Sequence, residues 1–258
     1  MKTIRSFAML LGFVALAGCD KNAVQIDSIT EPTTGARVKF FNFGINAPPV
    51  NFYNGTTKVT AISSTTTAEA TTGVAYGAVA AGNLYVDLPA GAASFSGRIS
   101  ATVDKDLPIS TIAGTLEAGK AYSVYLSGFY NTTTKQVEGF VVEDAFPTAF
   151  DYTSALVRFV NASPNSQPMQ LSARSSTATA DVTVGASVAY KAGGAFVALP
   201  AGAYDLFART AGATTNAISR TGVSFIAGRV YTITARGDMT VTSTTATNRP
   251  FLDNSVNR

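Results

Sequence analysis

"LPAGA" occupies residues 88–92 and recurs letter for letter at 199–203. Proline presets its own φ near −65° for the second position of a turn, and glycine suits the fourth. Leu88 and Leu199 close strands, and AASFSGRI and AYDLFART open new ones. Phosphate-binding glycine loops open helices, and no helical pattern follows either copy, so the string reads as a turn rather than a ligand loop. On this reading the new strand lies beside the one just ended, in a tight connection between neighbours.

Working outward from the two copies, four further stations match in the same order. ARVKFFN at 36–42 pairs with ALVRFVN at 155–161, and SSTTTAE at 63–69 with SSTATAD at 175–181. AY at 75–76 pairs with AY at 189–190, and AGKAYSVYL at 118–126 with AGRVYTITA at 227–235. The offset drifts from 119 to 109, as a few loops of unequal length require. The chain is therefore a tandem duplication with its seam near Phe150: one repeat over 36–150 and a second over 151–258.

Inside each repeat the period is two. Val38 and Phe40 alternate with Arg37 and Lys39, Val86 and Leu88 with Tyr85 and Asp87, and Tyr204 and Leu206 with Asp205 and Phe207. Turn signals such as Asn54-Gly55, Gly82-Asn83 and Gly193-Gly194 separate the runs. Thr, Val, Tyr and Phe fill them, and no long segment carries helical spacing. The expected fold is all-β: two tandem antiparallel β-sandwich domains, immunoglobulin-like or transthyretin-like.

The amino terminus speaks for a compartment. Lys2 and Arg5 precede the apolar run Phe7 to Ala17, which is shorter than the roughly 20 residues of a membrane-spanning helix. That is the layout of a secretory signal peptide, here over 1–18. Leu16-Ala17-Gly18-Cys19 looks like the lipobox of bacterial lipoproteins, with Cys19, the chain's sole cysteine, as the lipidated residue. Residues 19–35 are polar and read as a flexible tether. The expectation is a lipid-anchored cell-envelope protein, at the outer membrane or cell surface, with the membrane as its partner through Cys19. Asp20 resembles an inner-membrane retention signal, which would place it on the other membrane.

The formal charge of +3 includes Lys2 and Arg5. Without them 17 basic residues face 16 acidic ones, a balance that gives no reason to expect a nucleic-acid partner. With no histidine and Cys19 modified, His-dependent nucleophiles, His-ligated zinc and thiolate metal sites drop out. No cofactor or metal is expected, nor a disulfide within the processed chain.

The run ARVKFFNFGINAPPVNFY, a GVAYG segment, LPAG and LEAGKAYSVYLSG resembles the bacterial extracytoplasmic family known as domain of unknown function 4397. LVRFVNASPNSQPMQL, LPAG and IAGRVYTITARG repeat the pattern, and Val142-Glu143-Asp144 and Leu252-Asp253 look like its closing strand. The resemblance implies an envelope β-sandwich, often in tandem and often lipidated. In the family pattern a His-Ala-Ser-Pro-Asp-like turn ends the first strand, with a further acid downstream. This chain instead has Asn42 to Asn46 and Asn161 to Asn165, then Asn51 and Gln170, so if those acids hold a cation elsewhere in the family, amides replace charged ligands here and affinity should fall.

Other polar candidates read as framework. Asp104-Lys105-Asp106 lacks the ligand series of a calcium loop and is expected to be a solvated loop. Glu143 and Asp144, adjacent on a strand, point to opposite faces and cannot flank one bond, so each reads as a strand-end charge. Lys39 matches Arg158, and Arg98 matches Arg209, as on an outward strand face. Tyr122 and Tyr231 hold equivalent places and read as framework tyrosines. Tyr53, Tyr85 and Tyr130 remain as ligand-contact aromatics. The expected function is a non-catalytic structural, adhesive or protein-binding role, with a protein or glycan partner. A carbohydrate-binding accessory lipoprotein is the alternative, and a glycoside hydrolase using only carboxylates stands behind both.

Overall fold

A computed structural model describes residues 34–61, 72–149 and 151–258. The signal segment, Cys19 and most of the tether lie outside the described residues, as does the greater part of the serine- and threonine-rich stretch at 63–72. Pro32–Arg258 forms one compact unit.

The first repeat comprises β1 (Gly35–Asn42), β2 (Val50–Asn54), β3 (Thr57–Lys58), β4 (Ala78–Val79), β5 (Val86–Pro89), β6 (Gly91–Ile99), β7 (Ile112–Leu116), β8 (Ala121–Leu126) and β9 (Gly139–Glu143). The second comprises β10 (Ser154–Asn161), β11 (Met169–Ser175), β12 (Val182–Val188), β13 (Ala192–Gly193), β14 (Val197–Pro200), β15 (Gly202–Thr210), β16 (Ile218–Phe225), β17 (Val230–Arg236) and β18 (Phe251–Val256). One sheet of each repeat runs β4-β1-β8-β9 or β13-β10-β17-β18, with β5 or β14 sharing the same edge of the first strand. The other runs β3-β2-β6-β7 or β12-β11-β15-β16. The chain is all-β, and the same topology occurs twice.

Each sandwich closes on its own core. Phe40 from β1 meets Phe52 from β2 at 5.0 Å and Phe95 from β6 at 5.5 Å, ring centre to ring centre. Phe159, Leu171, Leu206, Phe225 and Ile233 fill the second core. The framework tyrosines behave as expected. The Tyr122 hydroxyl accepts the Glu117 N–H at 3.1 Å, and the Tyr231 hydroxyl accepts that of Ile226 at 3.0 Å. That is one bond made twice, of the kind that pins a tyrosine corner in immunoglobulin-like sandwiches.

Two features depart from the expectation. The first strand pairs with β8, or β10 with β17, in parallel, from Arg37 opposite Ala121 to Asn42 opposite Leu126 and from Leu156 opposite Val230 to Asn161 opposite Ala235. And LPAGA is no hairpin: β5 pairs with β1, whereas β6 pairs with β2 and β7 in the facing sheet. The string is the corner at which the chain crosses from one sheet to the other, at Gly91 and Gly202 with φ of +126° and +158°. Both values fall where side chains are rarely tolerated, so glycine is required there for the crossing rather than for a hairpin.

The parallel pairs hold the key to how the repeats meet. β8 is buried at every position, and β10 and β17 at all but their end residues. A strand buried on both faces needs cover on both. Here the second cover is the other repeat, so the two β1-type sheets pack face to face and the body has four layers, with the sheets containing β2 and β11 outermost.

Candidate functional site: the face shared by the repeats

The inward-facing residues of the middle sheets divide into an apolar wing and a polar one. In the apolar wing Tyr125 stacks between Phe41 at 4.4 Å and Phe140 at 5.0 Å, with interplanar angles of 16° and 18°. Phe43 joins them, and Val160 and Ala162 of the second repeat complete the cluster. At its margin the Ser127 hydroxyl donates to the Ala162 carbonyl at 2.8 Å. Tyr190 packs edge-on against Phe140, while its counterpart Tyr76 lies under the Arg236 guanidinium at 4.9 Å. Each tyrosine of the duplicated AY station thus reaches the opposite repeat.

The polar wing obeys the same pseudo-two-fold rule. Tyr122 pairs with Glu143 across β8 and β9, and Tyr231 with Val256 across β17 and β18, so Glu143 corresponds to Val256 and Asp144 to Asn257. Arg158 Nη1 donates to the Glu143 carbonyl at 2.9 Å, and Lys39 Nζ donates to the Val256 carbonyl at 2.6 Å. Each repeat's first-strand cation therefore caps the closing strand of the other. Each also lies on an aromatic ring from its own repeat, Lys39 over Tyr85 at 4.5 Å and Arg158 over Phe196 at 4.9 Å.

Asp144 gathers this wing. It forms a buried ion pair with Arg158 and accepts the Tyr85 hydroxyl at 2.6 Å and the Ser123 hydroxyl at 2.9 Å. Asn257 Nδ2 donates to the Tyr85 oxygen at 2.7 Å, and Thr232 links Asn257 to Arg158 Nε. Lys39, Asp144 and Arg158 are each no more than 2% exposed. Charges so deeply buried are tolerable only when paired and hydrogen-bonded, which this arrangement supplies.

The network is not fully symmetric. Eleven residues separate Tyr76 from Leu88, but only eight separate Tyr190 from Leu199. The first repeat uses its additional length for a turn in which Ala81, Gly82 and Asn83 take φ of +50°, +62° and +70°. That left-handed turn carries Asn83 to the seam, where its amide oxygen accepts from the Ser255 hydroxyl at 2.6 Å and Lys39 Nζ at 3.3 Å.

These positions correct part of the sequence reading. Lys39 and Arg158 do not lie on a wet outer face, and Asp144 is no exposed strand-end charge: all three are interior. Glu143 does remain exposed, paired with Lys120 at 3.3 Å. Tyr85 is half-buried at the seam, its hydroxyl bonded to Asp144 and Asn257. Tyr53 is 7% exposed, donates to Asp106 at 2.9 Å and is covered by the Arg98 guanidinium at 4.2 Å. Tyr130 is half-buried against the first core. The three tyrosines have different surroundings. Asn42 and Asn161 bind their own loops, donating to the Val74 and Val188 carbonyls at 2.8 and 3.2 Å. Asp104 pairs with Lys135 at 2.6 Å in an exposed loop, as the sequence suggests for that segment.

Outside the seam, Arg98 and Arg209 do occupy matched places on the outer sheets. Arg209 lies over Phe207 at 5.4 Å and shares Asp181 with Arg174. A cleft of about 470 Å³ opens in the second repeat between the start of β16 and residues 239–250, lined by Ile218, Met239, Thr242, Ser243 and Arg249. Sequence periodicity contains no sign of it, because loop residues form it.

Burial lowers the Lys39 pKa to about 8, against opposition from Asp144 and with help from Arg158. Between about pH 8 and 10.5 the folded protein therefore binds fewer protons than the unfolded chain, and stability rises with pH. Urea unfolding should show a gain of about 1–2 kcal/mol from pH 7.5 to 9.5, absent in Lys39→Met. Above about pH 10.5 the sign reverses, because burial holds the Tyr85 hydroxyl protonated after an exposed tyrosine has ionised.

No curated protein matches the chain. Among solved structures it aligns with the TIE protein of Bacillus anthracis at 13% identity and a TM-score of 0.23, over 78% of this chain and 33% of that one. It aligns with a leucine-rich repeat protein from Bacteroides thetaiotaomicron at 12% identity and a TM-score of 0.21, over 80% and 26%. The chain spans about a third or less of either, and neither score is high enough to bear on architecture. The family match is of another order: Domain of unknown function (DUF4397) covers residues 36–172 and 155–257, two overlapping regions consistent with the two structural repeats. The chain belongs to the DUF4397 family and carries two copies of its domain.

Proposed function

We propose that the protein is a non-catalytic, lipid-anchored component of the cell envelope, in which two sandwiches form one stiff body for structural, adhesive or protein-binding work. The observation carrying this reading is the commitment of Lys39, Tyr85, Asp144 and Arg158 to joining the repeats. The lack of histidine supports the non-catalytic part, and the Leu16-to-Cys19 string supports the anchor. The carbohydrate-binding alternative needs open rings, and Tyr53 is 7% exposed beneath Arg98, while Tyr85 and Tyr130 are half-buried.

Expression in a bacterial host with an alkyne-bearing palmitate tests the anchor. Label is expected on the wild-type chain in the membrane fraction, and Cys19→Ala should lose both label and membrane association. An unlabelled wild-type chain in the soluble fraction would overturn the reading.

A further inference from the structure

The two faces of the seam differ in a way that restricts what each can accept. The first repeat supplies the bulk: Phe41, Phe43, Tyr125 and Phe140. At the matched positions the second repeat has Val160, Ala162, Thr234 and Asp253. Charge is distributed just as unevenly. Both repeats bring a buried cation, Lys39 and Arg158, but the acid Asp144 belongs to the first, and Asn257 replaces it in the second.

Pairing like with like in the same geometry fails on one count or the other. Two first-repeat faces would balance two Lys39 cations against two Asp144 carboxylates, yet would set aromatic wing against aromatic wing, and overpacked cores are destabilised. Two second-repeat faces would set Val160 and Ala162 against their own kind in place of the aromatic stack, and each Arg236 would lose the Phe43 and Tyr76 rings that it now covers. They would also bury two Arg158 guanidiniums with Asn257 as the facing group, because the acid of that face, Asp253, is already paired with Arg236 in the other wing, and an unmatched buried cation is costly. Only the unlike pair satisfies volume and charge together.

We infer that the first-repeat face is a docking surface for a second-repeat face and rejects its own kind, so that a second copy of this chain is taken up only by exchanging halves. The rule concerns which surfaces fit, and it stands whether or not the protein is anchored.

Two differently tagged full-length chains, each with a protease site inserted after exposed Pro147, provide the test. Both are cut after folding, mixed in urea near the transition midpoint, returned to buffer and weighed by native mass spectrometry. Exchanged pairs containing one first and one second repeat are expected. First-first or second-second pairs at comparable abundance would overturn the inference.

Two intact-chain variants check the rule without cleavage. Val160→Phe with Ala162→Phe gives the second repeat an aromatic wing and should lower the Tm by about 5 °C or more. Asp144→Asn gives the first repeat the second's charge set and should lower it by about 10 °C. A Tm unchanged in either variant would count against the rule as directly as a homotypic pair.

Discussion

Asp144→Ala is expected to cost about 3–5 kcal/mol of stability, which for a body of this size lowers the Tm by roughly 10–15 °C. The loss exceeds that of one ion pair. Without the carboxylate, Arg158 keeps its bonds to the Glu143 carbonyl and Thr232 but loses its counter-charge, and the Tyr85 and Ser123 hydroxyls lose their acceptor. Lys39 also loses the acid that opposes its desolvation. Differential scanning calorimetry would register the change, and a shift below about 3 °C would show that the seam does not depend on this charge. Converting Lys39, Asp144 and Arg158 together to Met, Leu and Met is the informative control. Buried ionic clusters replaced whole by apolar groups are often neutral or stabilising. That variant should be at least as stable as the wild type, and it separates the need for compensation from the need for charge.

The second large effect is expected at Tyr125. Tyr125→Ala removes the ring between Phe41 and Phe140 and leaves a cavity walled by the second repeat, at a cost of about 3–5 kcal/mol. Because the void opens at the seam rather than inside either core, the framework bonds of Tyr122 and Tyr231 remain. Hydrogen exchange should therefore quicken in β8 and β17 while β2, β6, β11 and β15 keep most of their protection. Equal loss of protection in all six strands would show that the seam and the cores unfold as one unit.

How much of this the sequence discloses depends on the kind of information involved. Strand identity, duplication and the tyrosine pair follow from local signals: period two, repeated strings, and aromatic residues at one register. The destination of a strand is not local, so LPAGA reads equally well as a hairpin and as a corner between sheets. The polar alternation of Arg37 and Lys39 suggests solvent because a wet face is the usual reason for charge on alternate residues. A face of mixed character can also be covered by its own duplicate. A signal of this was present in Phe41, a large aromatic in register with Arg37 and Lys39, in Tyr125 opposite it, and in the mismatch of Asp144 with Asn257. Asn83 was beyond reach, since its role depends on a left-handed turn created by three additional residues.

Duplication ordinarily frees one copy to drift while the other preserves the original. The four-layer stack withdraws that freedom from the middle sheets, because a change in either copy is felt at once by its sibling. Tyr85 against Phe196, Lys39 against Arg158 and Asp144 against Asn257 are differences that make sense only as matched sets. Innovation is then channelled to the outermost sheets and their loops, where each copy answers to its own core alone. Any new binding specificity in such a protein should be written there first.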